Sequence, residues 1–239
     1  MPIKVLAFDG DDTLWHNETH FELTQGEFRD LIKRHVPDVD VGARLFATEM
    51  ANLKLYGYGI KSFTLSMLET AIAITEARIP AADLEVILGW GKRMLQEPTE
   101  LLDGVVETLR EMAGRFTLLV ITKGDLFDQE SKLARSGLAE LFSAVEILSD
   151  KNVDSYRKVL SRRGVAPADF VMVGNSLRSD VVPVVEMGGR AVHIPYHLTW
   201  DHEQVEEDSL PGKGWYRLTS IRELGPLLAS LDRASPYAD

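Results

Sequence analysis

The stretch VLAFDGDDTLW, residues 5–15, runs from a strand-like apolar segment straight into three carboxylates, Asp9, Asp11 and Asp12. Carboxylates this close repel one another unless positive charge lies between them, so the cluster reads either as a solvated turn or as a cation site. Other positions supply complementary chemistry: Thr13 in the same loop, Thr122 at the end of FTLLVIT, Lys151 in SDKNVDSY, and Asn175 and Asp180 in VGNSLRSD. Such groups can hold a divalent cation and an anion together, and a hard cation such as Mg2+ takes oxygen ligands while keeping several waters. Phosphoryl transfer is the reaction that uses this set. One carboxylate acts as nucleophile, and the cation and lysine neutralise the nonbridging oxygens. A second carboxylate protonates the leaving oxygen and then activates water.

These residues converge only if the chain builds the right frame. Short apolar runs at 3–8, 116–122, 144–149, 169–175 and 190–195 alternate with the amphipathic segments DGVVETLREMAG, LFDQESKLARSGL, VDSYRKVLSRRG and LRSDVVPVVEMGG. That alternation predicts a parallel sheet with crossover helices, in which residues just past the strands' carboxyl ends share one edge. WYRLTSIRELGPLLASL adds a short edge strand and a closing helix. Between the first two strands lie about a hundred residues of helix-like periodicity, punctuated by Pro37, the 57–59 turn, Pro80 and Pro98, enough for an inserted helical bundle. The expected fold is α/β, a Rossmann-like parallel-sheet core with an inserted α-helical cap. The core is discontinuous, 1–14 and 101–232; the cap spans 15–100, and 233–239 is a flexible tail.

Composition narrows the function classes. The chain has 239 residues, enough for a sizeable core, and no cysteine, which excludes disulfides, thiolate metal sites and cysteine nucleophiles. A net charge of −11 disfavours a broad footprint on nucleic acid or anionic lipid. No signal-peptide pattern and no apolar run of roughly 20 residues is present, so the expectation is a soluble cytoplasmic protein without membrane or nucleic-acid partners. Whether it is a monomer or homodimer is not read from the sequence.

DGDDT, with the later segments in this order, resembles the haloacid dehalogenase (HAD) superfamily, in its phosphatase branch with a helical cap of the C1 type. The resemblance covers the whole chain. It implies that Asp9 is the nucleophile and a Mg2+ ligand, that Asp11 is the general acid/base with its backbone carbonyl on the metal, and that Thr13 supports the loop and the substrate. Thr122 then hydrogen-bonds the phosphoryl group, Lys151 is the lysine of the third motif, and VGNSLRSD is the fourth motif. Asn175 stands where the family usually has an acid. It is either a weaker direct ligand or the holder of a metal-bound water while Asp180 coordinates.

The remaining signals are plainer. Asp12 shapes the loop, and Lys123, Lys132 and Lys158 read as solvated charges. His193, His197 and His202 lack a spacing that aims them at one centre, and Tyr196 and Trp200 cover the core edge or a partner surface. LYGYGIKS, residues 55–62, either lines a substrate pocket through Tyr56, Tyr58 or Lys61 or is an ordinary turn between helices. The expected activity is Mg2+-dependent hydrolysis of a small phosphorylated metabolite, a phosphomonoester, through an aspartyl-phosphate. The alternatives are a 2-haloacid dehalogenase, a phosphomutase, or an inactive binding protein on the same fold.

Overall fold

The computed structural model describes residues 3–203, 205, 210 and 212–233; the expected tail, beyond the last of these, lies outside the described residues. Among the described residues six strands form one sheet: β1 (Val5–Phe8), β2 (Thr117–Lys123), β3 (Ala144–Leu148), β4 (Phe170–Gly174), β5 (Arg190–His193) and β6 (Trp215–Arg217). Their order is β3-β2-β1-β4-β5-β6 and every pairing is parallel. The strands read as unbroken apolar runs because both faces are covered. Leu6, Phe8, Leu118, Val120, Val171, Val173 and Val192 point into one core, and Val5, Ala7, Leu119, Ile121, Phe170, Met172 and Ala191 into the other.

Nine α-helices are present among the described residues. α1 (Glu18–Lys33), α2 (Val41–Tyr56), α3 (Ile60–Ile74) and α4 (Ala81–Gln96) form the insertion between β1 and β2. The crossovers and the closing helix are α5 (Val105–Ala113), α6 (Leu126–Ser136), α7 (Val153–Arg163), α8 (Val182–Glu186) and α9 (Leu224–Arg233). Where the sequence reads as one amphipathic helix after β4, the backbone instead makes a wide π turn over Leu177–Val181 and then the short α8, with Pro183 in its first turn. Proline lacks the N–H a continuous helix would need there.

The chain divides into two compact units, each with its own core. One contains residues up to Glu18, Thr99–Lys123 and those from Gln129 onward. The other contains Thr19–Pro98 together with Gly124–Asp128. The helical unit is centred on Phe28, Leu31, Ile32, Leu45, Phe63, Met67 and Ile87. Its α3 and α4 approach closely at Gly91, where an added Cβ would lie 2.3 Å from Thr64 Oγ1. In the sheet unit the strand order reverses between β1 and β4, so the loops after these two strands flank the crevice in which ligands of such sheets bind.

Candidate active site

The loop after β1 is set by two local requirements. Gly10 passes under the indole of Trp15, where an added Cβ would come within 2.7 Å of Cζ2, and its carbonyl accepts from Leu14 N at 2.8 Å. Asp12 takes a left-handed backbone, φ 59°, and its buried carboxylate accepts from the backbone N–H of Asn17 and of Glu18, at 2.9 and 3.0 Å. Burial and the neighbouring Asp11 charge push the Asp12 carboxyl up to about 7. Asp12 therefore shapes the loop and ties it to the start of α1.

Asp9, at the end of β1, is buried, and its Oδ1 accepts from Lys151 Nζ at 2.5 Å. The same ammonium donates to Asp180 Oδ1 at 2.8 Å. Asp180 Oδ2 accepts from Ser176 N at 3.0 Å and lies against Gly174, the last residue of β4. Burial alone would lower Lys151, but Asp180 and Asp9 outweigh it and hold the ammonium above its ordinary range. Burial, with the Asp180 and Asp11 charges adding, raises Asp9 to about 7 despite Lys151. Two buried carboxylates facing one ammonium leave the cluster short of positive charge.

The other expected residues are placed around this triad. Thr13 Oγ1 donates to Asn175 Oδ1 at 3.3 Å, joining the β1 loop to the β4 loop. The Asn175 carbonyl faces His193 Nε2 at 2.9 Å, and burial lowers His193, so the neutral ring donates through Nε2. Thr122 is buried at the end of β2, with Oγ1 3.4 Å from Gln129 Oε1. The Asp11 side chain is not bonded to the triad. Its Oδ1 accepts from Trp15 Nε1 at 2.7 Å and Lys132 Nζ at 3.0 Å, and its Oδ2 from Gln129 Nε2 at 2.8 Å.

Two lysines that read as solvated are not. Lys132 is buried on Asp11 and Asn17 Oδ1, and Lys123 pairs with Glu203 and donates to Ser179 Oγ at 2.9 Å, whereas Lys158 is exposed. Glu203 also accepts from Ser176 and Ser179. Burial would raise this carboxyl, but the Lys123 ammonium and the two hydroxyls bring it down to about 2. Gln129, Lys132 and Glu203 are site neighbours that sequence reasoning missed. The usable signal was the i, i+3 spacing of Gln129 and Lys132 on the helix that follows Thr122. The histidines serve separate contacts: His197 packs on Tyr196, His202 on Trp200, and His16 Nδ1 meets Tyr196 Oη at 2.6 Å. In the helical unit Lys61 pairs with Asp125 at 2.9 Å and lies 5.6 Å from the Phe127 ring centroid, while Tyr56 is exposed.

The oxygen-bearing groups that could hold a cation are the Asp9 and Asp180 carboxylates, both of which accept from Lys151, the Asn175 amide, which accepts from Thr13, and the Asp11 backbone carbonyl. Among the described residues no cluster of three or more histidine, cysteine or acidic side chains is gathered around one point. Two carboxylates and neutral oxygens, beside a cluster short of positive charge, suit a hard cation that keeps much of its water and not a softer transition metal.

Comparison with known proteins identifies the family and the fold. A family model described as haloacid dehalogenase-like hydrolase matches residues 3–186. A crystal structure of a haloacid dehalogenase-like family hydrolase from Xanthomonas campestris superposes with a TM-score of 0.86 at 38% identity, covering 97% of this chain and 92% of that one. The glyceraldehyde 3-phosphate phosphatase of Methanocaldococcus jannaschii is 24% identical over 97% of this chain and 99% of its own length. The N-acylneuraminate-9-phosphatase of Homo sapiens is 26% identical over 60% of this chain and 57% of its own. With an all-parallel core, a helical insertion after β1 and a family match across most of its length, the chain belongs to the haloacid dehalogenase-like hydrolases, in the form that carries a helical cap.

Proposed function

We propose that this hydrolase is a Mg2+-dependent phosphatase of a small phosphomonoester that works through an aspartyl-phosphate. The observation that carries the reading is the Asp9–Lys151–Asp180 triad, with a second aspartate, Asp11, two residues from the first and held by its own donors. A dehalogenase displacing halide from carbon has no leaving oxygen to protonate and no need of that second carboxylate. The names of the two phosphatases to which the chain is similar point the same way.

In this reading Lys151 engages Asp9 Oδ1 and leaves Oδ2 to attack phosphorus. As the bond to the leaving oxygen breaks, Asp11 gives that oxygen its proton. The same carboxylate then takes a proton from water, whose oxygen attacks phosphorus, and the bond to Asp9 breaks to release inorganic phosphate. Thr122 and the loop N–H groups orient the phosphoryl oxygens, and Lys151 faces their charge. Asp9, Asn175 and Asp180, with the Asp11 carbonyl, would hold Mg2+. When bound, the cation neutralises charge on the phosphoryl oxygens and restores the positive charge that the buried carboxylates lack. Asn175 contributes no charge to that set, which points to weaker metal binding than an aspartate there would give.

Phosphate release from a panel of small phosphomonoesters with Mg2+ tests this directly. Turnover that disappears both in Asp9→Asn and on adding EDTA is the expected result. No release from any ester with Mg2+ in excess, combined with halide release from a 2-haloacid, would replace the reading with the dehalogenase.

A further inference from the structure

Lys132 is a buried cation, and Gln129 a buried amide, for which the steps above have no use. Both lie on α6 and both end on Asp11. The Asp11 carboxylate has about four lone-pair positions. Trp15 Nε1 and Lys132 Nζ occupy both on Oδ1, at 2.7 and 3.0 Å, and Gln129 Nε2 occupies one on Oδ2, at 2.8 Å. One position, on Oδ2, is left to carry a proton. The Gln129 amide cannot turn without loss, because its other end, Oε1, lies 3.4 Å from Thr122 Oγ1. Lys132 is fixed in turn by Asn17 Oδ1 at 2.8 Å.

We infer that Gln129 and Lys132 are positioning residues for Asp11: with Trp15 they clamp its carboxylate so that the open position on Oδ2 faces the leaving-group oxygen, and Gln129 couples that orientation to the hydroxyl of Thr122. The inference rests on the phosphatase reading and deepens it. No atom of either residue enters the reaction. The proton passes from Asp11 Oδ2 to the leaving oxygen as the phosphorus–oxygen bond breaks, and the clamp sets only where that proton sits. A carboxylate freed of one of its three donors gains freedom about its side-chain torsions, and misplacement of an acid by about an ångström is enough to cost much of its effect.

The test uses the leaving group. Phenyl phosphate expels a phenolate that benefits from protonation, whereas p-nitrophenyl phosphate expels a nitrophenolate that departs without it. In Lys132→Met and Gln129→Leu, kcat/KM on phenyl phosphate should fall by about tenfold or more, and on p-nitrophenyl phosphate by less than about threefold. Lys132→Arg, which keeps a charged donor toward Asp11, should recover most of the loss. Asp11→Asn is the reference and should show the same selective loss, and adding Lys132→Met to it should change little further. Equal losses on both esters in Lys132→Met and Gln129→Leu, beside a selective loss in Asp11→Asn, overturn the positioning role and leave the phosphatase reading standing. An unselective Asp11→Asn, or no turnover of either ester by the unaltered protein, overturns the acid–base reading and the inference with it. Thermal unfolding of each variant identifies one that has merely lost its fold: if it is Lys132→Met, Gln129→Leu carries the test, and if it is Gln129→Leu, the Lys132→Arg and Lys132→Met comparison decides.

Discussion

Gly174→Ala isolates how tightly the triad is packed. Gly174 does not use a positive φ, so alanine meets no backbone strain there. The whole effect comes from the added methyl, which would lie 2.1 Å from Asp180 Oδ2, 2.3 Å from its Cγ and 2.7 Å from its Cβ. Asp180 has no exposed surface into which to retreat, and both its oxygens are engaged, one by Lys151 at 2.8 Å and one by Ser176 N at 3.0 Å. Overpacking of this kind costs about 1–3 kcal/mol. Loosening a buried ion pair adds to it, toward the roughly 3–5 kcal/mol seen when one partner is removed outright. A loss of about 2–5 kcal/mol follows, read as a shifted urea unfolding midpoint, together with loss of phosphate release. The cause is checked in an Asp180→Ala background, where the two nearest obstructing atoms are gone. There the same substitution should cost less by at least about 1 kcal/mol, a coupling that distant sites do not show. Unchanged stability in Gly174→Ala, or the same loss in both backgrounds, would refute the steric argument.

Three further outcomes follow from the geometry. The Glu203 carboxyl, at about 2 in the folded chain against 4.5 for a free side chain, contributes stability that is fully present above about pH 4.5 and is lost as pH falls toward 2. That difference corresponds to about 3 kcal/mol, so the gap between unaltered protein and Glu203→Gln, from urea unfolding at several pH values, should close on acidification. Asn175→Asp should lower the Mg2+ concentration needed for half-maximal phosphate release by on the order of tenfold, since ligand charge is a main determinant of affinity for hard cations. Gly91→Ala, whose methyl would meet Thr64 Oγ1 at 2.3 Å, should destabilise the helical unit by about 1–3 kcal/mol in differential scanning calorimetry.

The parts of the fold that were legible in the sequence are those fixed by local pattern. Strands buried on both faces read as apolar runs, and a parallel sheet follows from their alternation with amphipathic helices. Asp9, Thr122 and Asn175 could be singled out because each falls where a strand ends. The rest depends on long-range pairing. Lys132 in an amphipathic helix reads as a solvated charge, and only a carboxylate 121 residues away makes it a buried one. Lys123 and Glu203 are 80 residues apart, and neither position alone hints at their pairing. The orientation of Asp11 toward α6, away from Lys151, was likewise invisible: spacing brings two aspartates into one loop but does not say which way each side chain turns. The π turn over Leu177–Val181 escaped for a different reason, since its residues keep helix-like periodicity while the backbone widens before Pro183.

The central claim is that Asp9 carries the phosphoryl group. It is tested most directly by acid-quenching the Asp11→Asn protein during reaction with p-nitrophenyl phosphate and Mg2+, then locating phosphate by peptide mass spectrometry. With the departure of nitrophenolate unhindered and water activation impaired, the account predicts phosphate accumulating on the Asp9 carboxylate. Turnover by the unaltered protein with Asp9 never modified in the trapped variant, or turnover undiminished in Asp9→Asn, would contradict it.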